Sequence, residues 1–127
     1  MIYTGIDLIE IPRIAGVLER YPVRFLEKVF TAGELRYARG RPHRLASRFA
    51  AKEAVMKLLG TGVRGVPWKS IEVIRKQGGP PEIVLHGPAK VRAEKMGIIR
   101  IALSLSHSRE MAVASAVGEA RDDGWKP

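Results

Sequence analysis

The chain has 127 residues, 46% hydrophobic and 28% charged, with a net charge of +9. That is the composition of one globular domain with an affinity for polyanions: nucleic acid, a phosphate-rich small molecule or an acidic protein. Cysteine is absent and histidine occurs three times, which excludes disulfides, cysteine nucleophiles and thiolate or His-rich metal cages, so any metal must be held mainly by oxygen.

No apolar run reaches the ~18 residues of a membrane span, and Asp7 and Glu10 are foreign to a signal peptide; the expected location is the cytoplasm. Residues 2–9 are apolar and β-branched and predict a buried strand. Pro12 then suits a first helical turn, and residues 12–20 predict a helix whose Ile14, Val17 and Leu18 share one face. Arg13 and Arg20, seven apart, fall on its solvent stripe. Thr31 and Glu34 have the spacing of a capping box, so a short helix runs from there to about Arg39 before Gly40-Arg41-Pro42 interrupts it.

Residues 45–59, rich in Ala, Leu, Met, Lys and Arg and followed by Gly60 at the C′ position, predict the central helix. After a glycine-punctuated loop, residues 71–75 and 82–85 predict a hairpin about Gly78-Gly79-Pro80-Pro81. Residues 88–96 predict a helix stopped by Gly97, and 98–106 with 111–117 a second strand pair around His107-Ser108-Arg109-Glu110. The tail from Gly118 is polar and expected to fray. The fold class expected is α+β in a single domain over 1–127.

The best chemical signal is a pair of carboxylates in unlike places: Asp7 in an apolar strand and Glu53 in the middle of the central helix. Charges rarely enter such surroundings without a partner. Glu53 and Lys57 are four apart on one helical face, as in a surface salt bridge, and Asp7 alone could equally be an exposed strand carboxylate. If both converge, two carboxylates leave most of an octahedral shell to phosphates and water, the usual manner of binding Mg²⁺. Gly60-Thr61-Gly62 could bring backbone amides to a phosphate, although Gly60 already serves as a helix stop and no Walker-type lysine follows. His107 could meet a phosphate or be a hydrogen-bonded structural histidine, while His43 and His86 carry no such hint. Between Pro12 and Lys57 stand eleven Lys and Arg against four Glu.

The order of the segments Gly5-Ile6-Asp7-Leu8-Ile9-Glu10-Ile11-Pro12-Arg13-Ile14, Phe30-Thr31-Ala32-Gly33-Glu34-Leu35, Arg48-Phe49-Ala50-Ala51-Lys52-Glu53-Ala54-Val55, Gly60-Thr61-Gly62 and Ser104-Leu105-Ser106-His107 resembles that of holo-acyl-carrier-protein synthases, the short, trimeric type of 4′-phosphopantetheinyl transferase. Ser70 and Ser108 are the small departures. The resemblance implies antiparallel strands against a long central helix, a homotrimer, and transfer of the phosphopantetheine arm of coenzyme A to a serine of an apo acyl carrier protein in fatty acid biosynthesis, releasing adenosine 3′,5′-bisphosphate. It implies that Asp7 and Glu53 hold Mg²⁺ and that Lys57 neutralises phosphate charge. It further implies that Lys52, Gly60, Thr61, Gly62, Ser106 and His107 join Lys57 around the coenzyme, and that Arg13, Arg20 and Arg24, with Phe25 as an apolar anchor, dock the acidic carrier protein. Neither nucleic acid nor membrane is then expected as a partner. The competing reading is a small basic RNA-binding module, which needs the cations but no buried carboxylates; a related transferase serving another biosynthetic carrier protein would share the chemistry.

Overall fold

The computed structural model describes residues 1–121. Strand β1 (Ile2–Glu10) runs directly into helix α1 (Ile11–Arg20), and helices α2 (Pro22–Val29), α3 (Ala32–Ala38) and α4 (Pro42–Leu58) follow. A 3-10 turn (Trp68–Ser70) leads to the hairpin β2 (Ile71–Arg75) and β3 (Pro81–Leu85), then helix α5 (Gly87–Lys95) and the long strands β4 (Ile98–His107) and β5 (Met111–Ala120). The long strands form an antiparallel sheet in the order β1-β5-β4, and β2-β3 is a separate two-stranded sheet. This is the α+β architecture of antiparallel strands against a central helix. No helix among the described residues is long and apolar enough to cross a membrane.

Helix α4 is the axis of the core, with Leu45, Ala46, Ala50, Ala51, Ala54 and Val55 fully buried. The strand face against it is built from equally small residues: Gly5 and, in β5, Ala112, Ala114 and Ala116. Small residues on both sides let the sheet approach the helix closely, and they do so where Asp7, paired with Ala114, shares the inner face. The outer face remains apolar and open; Ile6 is 62% and Leu8 61% exposed.

Local chemistry explains the element boundaries. Thr31 and Glu34 form the reciprocal capping box, with Glu34 N–H donating to Thr31 Oγ1 at 3.2 Å and Thr31 N–H to Glu34 Oε1 at 2.8 Å. Proline opens α1, α2, α4 and α5 in the first turn. Gly60, at φ +68°, ends α4 as expected: its N–H donates to Lys57 O and that of Thr61 to Met56 O, a Schellman motif.

Residues 22–29, for which the sequence predicts no element, form a helix that Pro22 starts. One expectation is corrected. The chain does not fray at Gly118, since β5 continues to Ala120. There Glu119 pairs with Ile2, and Arg100 Nη2 lies 2.6 Å from Glu119 Oε2. A polar sequence at a sheet end is held by its backbone ladder, which side-chain polarity does not report. The rest of the expected tail, 122–127, lies outside the described residues.

Candidate active site

Asp7 and Glu53 come from segments forty-six positions apart and meet in one cleft, because β1 lies along α4 with Asp7 on its inner face. The cleft, about 280 Å³, is walled by both carboxylates together with Arg13, Phe25 and Phe49. Burial raises the Glu53 carboxyl above its ordinary value and the nearby Asp7 charge raises it further, against the opposing pull of Lys57. A carboxylate whose charge is opposed by burial and by a second carboxylate in the same small cleft suits a cation. Lys57 Nζ sits 3.2 Å from Asp7 Oδ1 and donates to Ile6 O at 3.0 Å. The ammonium therefore reaches across to the strand, beyond the i,i+4 pairing with Glu53 that the sequence also allowed.

Among the described residues no group of three or more His, Asp or Glu converges as a metal cage. Two carboxylate donors with an open cleft in front of them fit Mg²⁺, which keeps water and substrate phosphate as its other ligands. The residues present thus fit the ion that the resemblance implies.

Lys52 departs from its expected role. Its side chain is fully buried, 2.8 Å from Glu34 Oε1, and donates to the carbonyls of Trp68 and Ile71. Every partner is internal, so this ammonium ties α4 to α3 and β2 and does not reach a coenzyme. Gly60 and Thr61 line a different cleft at the C-terminal end of α4, about 650 Å³, with Arg92 and Lys95 of α5 on its far wall. Gly62 lies in the same loop and accepts from Gly65 N–H and Val66 N–H. Ser106 is exposed on the outer sheet face, in a hollow with Leu8 and His107.

His107 also borders a basin that sequence reasoning missed. Tyr37, His43, Arg44, Arg48 and Arg75 surround about 250 Å³ with it. His43 and His107 rings lie 5.3 Å apart, and the guanidinium carbon of Arg48 stands 4.0 Å over the Tyr37 ring. Burial lowers the affinity of His43 for a proton, and His107, Arg44 and Arg41 lower it further. For the Tyr37 phenol burial pushes upward, but Arg48, Arg75 and Arg44 together outweigh it and leave it below its ordinary value. Arg48 is 4% exposed and its Nε has no hydrogen-bond partner. So much unneutralised positive charge around one hollow fits a polyanion. The signal available in sequence was the i,i+4 spacing of Arg44 and Arg48 on an otherwise alanine-rich helix. At 100° per residue Arg48 and Arg44 lie about 140° and 180° around α4 from Glu53, so basin and carboxylates occupy opposite flanks of one helix.

Of the expected docking residues, Arg13 borders the carboxylate cleft, and Arg20 and Arg24 are exposed at the end of α1 and on α2. Phe25 is half-buried, edge-on to Phe30 at 5.6 Å and 6.2 Å from Phe49. The exposed apolar groups beside those arginines are Tyr21 and Val23, which sequence reasoning did not single out.

Comparison with known proteins agrees with this geometry. Residues 3–114 match the family model of the 4′-phosphopantetheinyl transferase superfamily. The chain is 48% identical over 120 residues to the holo-[acyl-carrier-protein] synthase of Koribacter versatilis, covering 91% of this chain and 96% of that protein. It is 51% identical over 115 residues to the corresponding synthase of Gloeobacter violaceus, covering 87% of each. The solved ACPS–CoA complex of Chronobacterium ammoniagenes superposes with a TM-score of 0.85 at 31% identity, covering 95% of this chain and 98% of that one. The carboxylate cleft, the fold around it and these relatives lead to one conclusion: the chain belongs to the 4′-phosphopantetheinyl transferase superfamily, among its holo-acyl-carrier-protein synthases.

Proposed function

We propose that this protein transfers 4′-phosphopantetheine from coenzyme A to a serine of an acidic apo acyl carrier protein of fatty acid synthesis, in the cytoplasm and with Mg²⁺. The observation that carries the proposal is the meeting of Asp7, Glu53 and Lys57 at one cleft. A new P–O bond forms from the serine Oγ to the phosphorus that bears the pantetheine arm. The bond from that phosphorus to the bridging oxygen breaks, adenosine 3′,5′-bisphosphate leaves with the bonding electron pair, and the serine hydroxyl proton is released to solvent. Asp7 and Glu53 would hold the ion, which supplies charge neutralisation at the pyrophosphate. Lys57 adds a second positive charge beside the same oxygens and acts most when negative charge builds on the leaving group. Arg13 on the cleft rim and Arg20 at the end of the same helix, with Arg24 on α2, face the carrier protein; Phe25 supports that surface from beneath. The RNA-binding alternative is not favoured, because it gives the two carboxylates of the cleft no task.

One chain does not bring all the cationic groups to the carboxylates, since the His107 and Arg48 basin lies on the far flank of α4. We propose a homotrimer in which each subunit's basin, with Ser106 and His107, faces the carboxylate cleft of the next and takes the nucleotide phosphates, while Gly60, Thr61 and Gly62 border the coenzyme within the first subunit. A head-to-tail contact of this type closes into a ring when the rotation allows. The open apolar sheet face carrying Ile6 and Leu8 supplies a surface for the contact. The test is intact-mass measurement of an apo carrier protein incubated with this protein, coenzyme A and Mg²⁺. A gain of one phosphopantetheine group, lost with chelator, is expected; an unchanged mass with metal present would overturn the assignment. Sedimentation of an active monomer would overturn the trimer alone.

A further inference from the structure

On β1, Gly5 lies two residues before Asp7, on the same inner face of the strand and against α4. A Cβ at Gly5 would stand 1.9 Å from the carbonyl oxygen of Ala54, 2.8 Å from Leu58 N and 2.9 Å from Ala54 C. All three atoms are backbone. Accommodation by side-chain rotation is therefore closed, and a methyl at this point must move the strand away from the helix by about an ångström. Ala54 follows Glu53 directly and Gly5 precedes Asp7 by two, so the closest approach of strand and helix lies within two residues of both carboxylates. Gly5 needs its missing side chain for this approach and for nothing else, as its backbone requires no left-handed φ.

From this contact we infer that Gly5 is a positioning residue for the divalent ion: by letting β1 touch the α4 backbone at Ala54, it sets the separation of Asp7 and Glu53. The inference rests on the proposed metal role of those carboxylates. An aspartate on a strand is short, and it reaches an ion shared with a helix glutamate only if strand and helix are close. Mg²⁺ tolerates little deviation from its ~2.0–2.1 Å ligand distances, and an error of an ångström in a reacting site can cost on the order of a hundredfold. Widening the gap should thus weaken the ion far more than it weakens the fold. Gly118 provides the internal control. It also lies against α4, but a Cβ there meets only the flexible Leu58 side chain, Cδ2 at 3.1 Å and Cδ1 at 3.3 Å, and it pairs with Tyr3, four residues from Asp7.

The experiment is Mn²⁺ binding, followed by electron paramagnetic resonance with coenzyme A present, in folded protein checked by circular dichroism. Gly5→Ala should weaken Mn²⁺ binding by about tenfold or more, whereas Gly118→Ala should remain within about twofold of the parent. Asp7→Glu alone should also weaken binding, because the separation is matched to aspartate. In the Gly5→Ala background the same change should recover part of the loss, the longer side chain bridging the wider gap. Folded Gly5→Ala with parental Mn²⁺ affinity would overturn the inference, as would an equal loss in Gly118→Ala. If Gly5→Ala does not fold, parental affinity in Asp7→Glu overturns it and weakened affinity supports it. Absence of Mn²⁺ binding by the parent protein would instead strike the metal reading on which the inference stands.

Discussion

Helix α4 carries two lysines that differ in almost everything except residue type. Lys52 is fully enclosed with Glu34, while Lys57, five residues later, is 56% exposed beside Asp7 at 17%. Burial lowers the proton affinity of Lys52, and Glu34 opposes that shift. Glu34 and two backbone carbonyls stand where water would otherwise solvate its Nζ. The exposed pair has the opposite logic. A half-solvated ion pair stabilises a fold by about 1 kcal/mol at most, so Lys57 and Asp7 are free to exchange partners when a phosphate or a metal arrives. Desolvation makes one pair structural and its absence leaves the other available for chemistry.

The sharpest way to break this comparison is at the carboxylates. Asp7→Ala and Glu53→Ala should each abolish transfer to the carrier protein, with thermal unfolding little changed, because each removes one of two protein donors to the ion and no internal partner of the core. Near-parental turnover in either variant, measured by carrier-protein mass shift, would remove them from the metal site. On the buried side, Lys52→Met should cost about 3–5 kcal/mol in denaturant unfolding, the usual consequence of leaving one member of a buried pair alone. The KM for coenzyme A should stay close to parental in whatever fraction remains folded. A large rise in KM at unchanged stability would return Lys52 to the coenzyme site.

Lys57→Ala should do the reverse, lowering kcat roughly ten- to a hundredfold with a melting temperature near that of the parent. An effect confined to KM would mean that the ammonium binds substrate and transition state equally. Charge reversal at Arg24 should raise KM for the carrier protein several-fold and flatten its salt dependence, with coenzyme affinity untouched, because exposed charges act through long-range steering that salt screens. Equal weakening of coenzyme binding would place Arg24 at the nucleotide instead.

The smallest effect concerns the polar chain that extends the buried pair outward. Glu72 accepts from Thr31 Oγ1 at 2.6 Å and lies 2.9 Å from His86 Nε2; the Thr31 hydrogen bond first, and then that with His86, hold its carboxyl below the ordinary range. The folded protein therefore binds fewer protons at this site than the unfolded chain. The stability Glu72 contributes is present above the unfolded carboxylate value of about 4.3 and is lost as pH falls through the lower folded value. Glu72→Gln should make the acid limb of a melting-temperature profile shallower; an unchanged limb would show that Glu72 does not contribute to it.

Much of this protein was determined by its sequence alone. The 3.6-residue and two-residue periodicities, the Thr31/Glu34 box, Gly60 as a helix stop and the glycine-proline hairpin turn are local, and local backbone energetics decides them within a few residues. Asp7 and Glu53 stood out in the sequence for a different reason: each is a charge in apolar surroundings, and such a charge needs a partner; that the two share one cleft is decided by the packing of β1 on α4. Tertiary structure decided the rest. The fate of Lys52 depends on Glu34, eighteen residues away, and on the carbonyls of Trp68 in the turn before β2 and of Ile71 at its start. The cationic basin assembles Tyr37, Arg44, Arg75 and His107 from four elements or their ends. The extension of β5 to Ala120 depends on a ladder to the first residues of the chain. In each case the deciding quantity is desolvation or hydrogen bonding between segments distant in sequence, and residue type and spacing do not encode how far water is excluded until the chain has closed around the group.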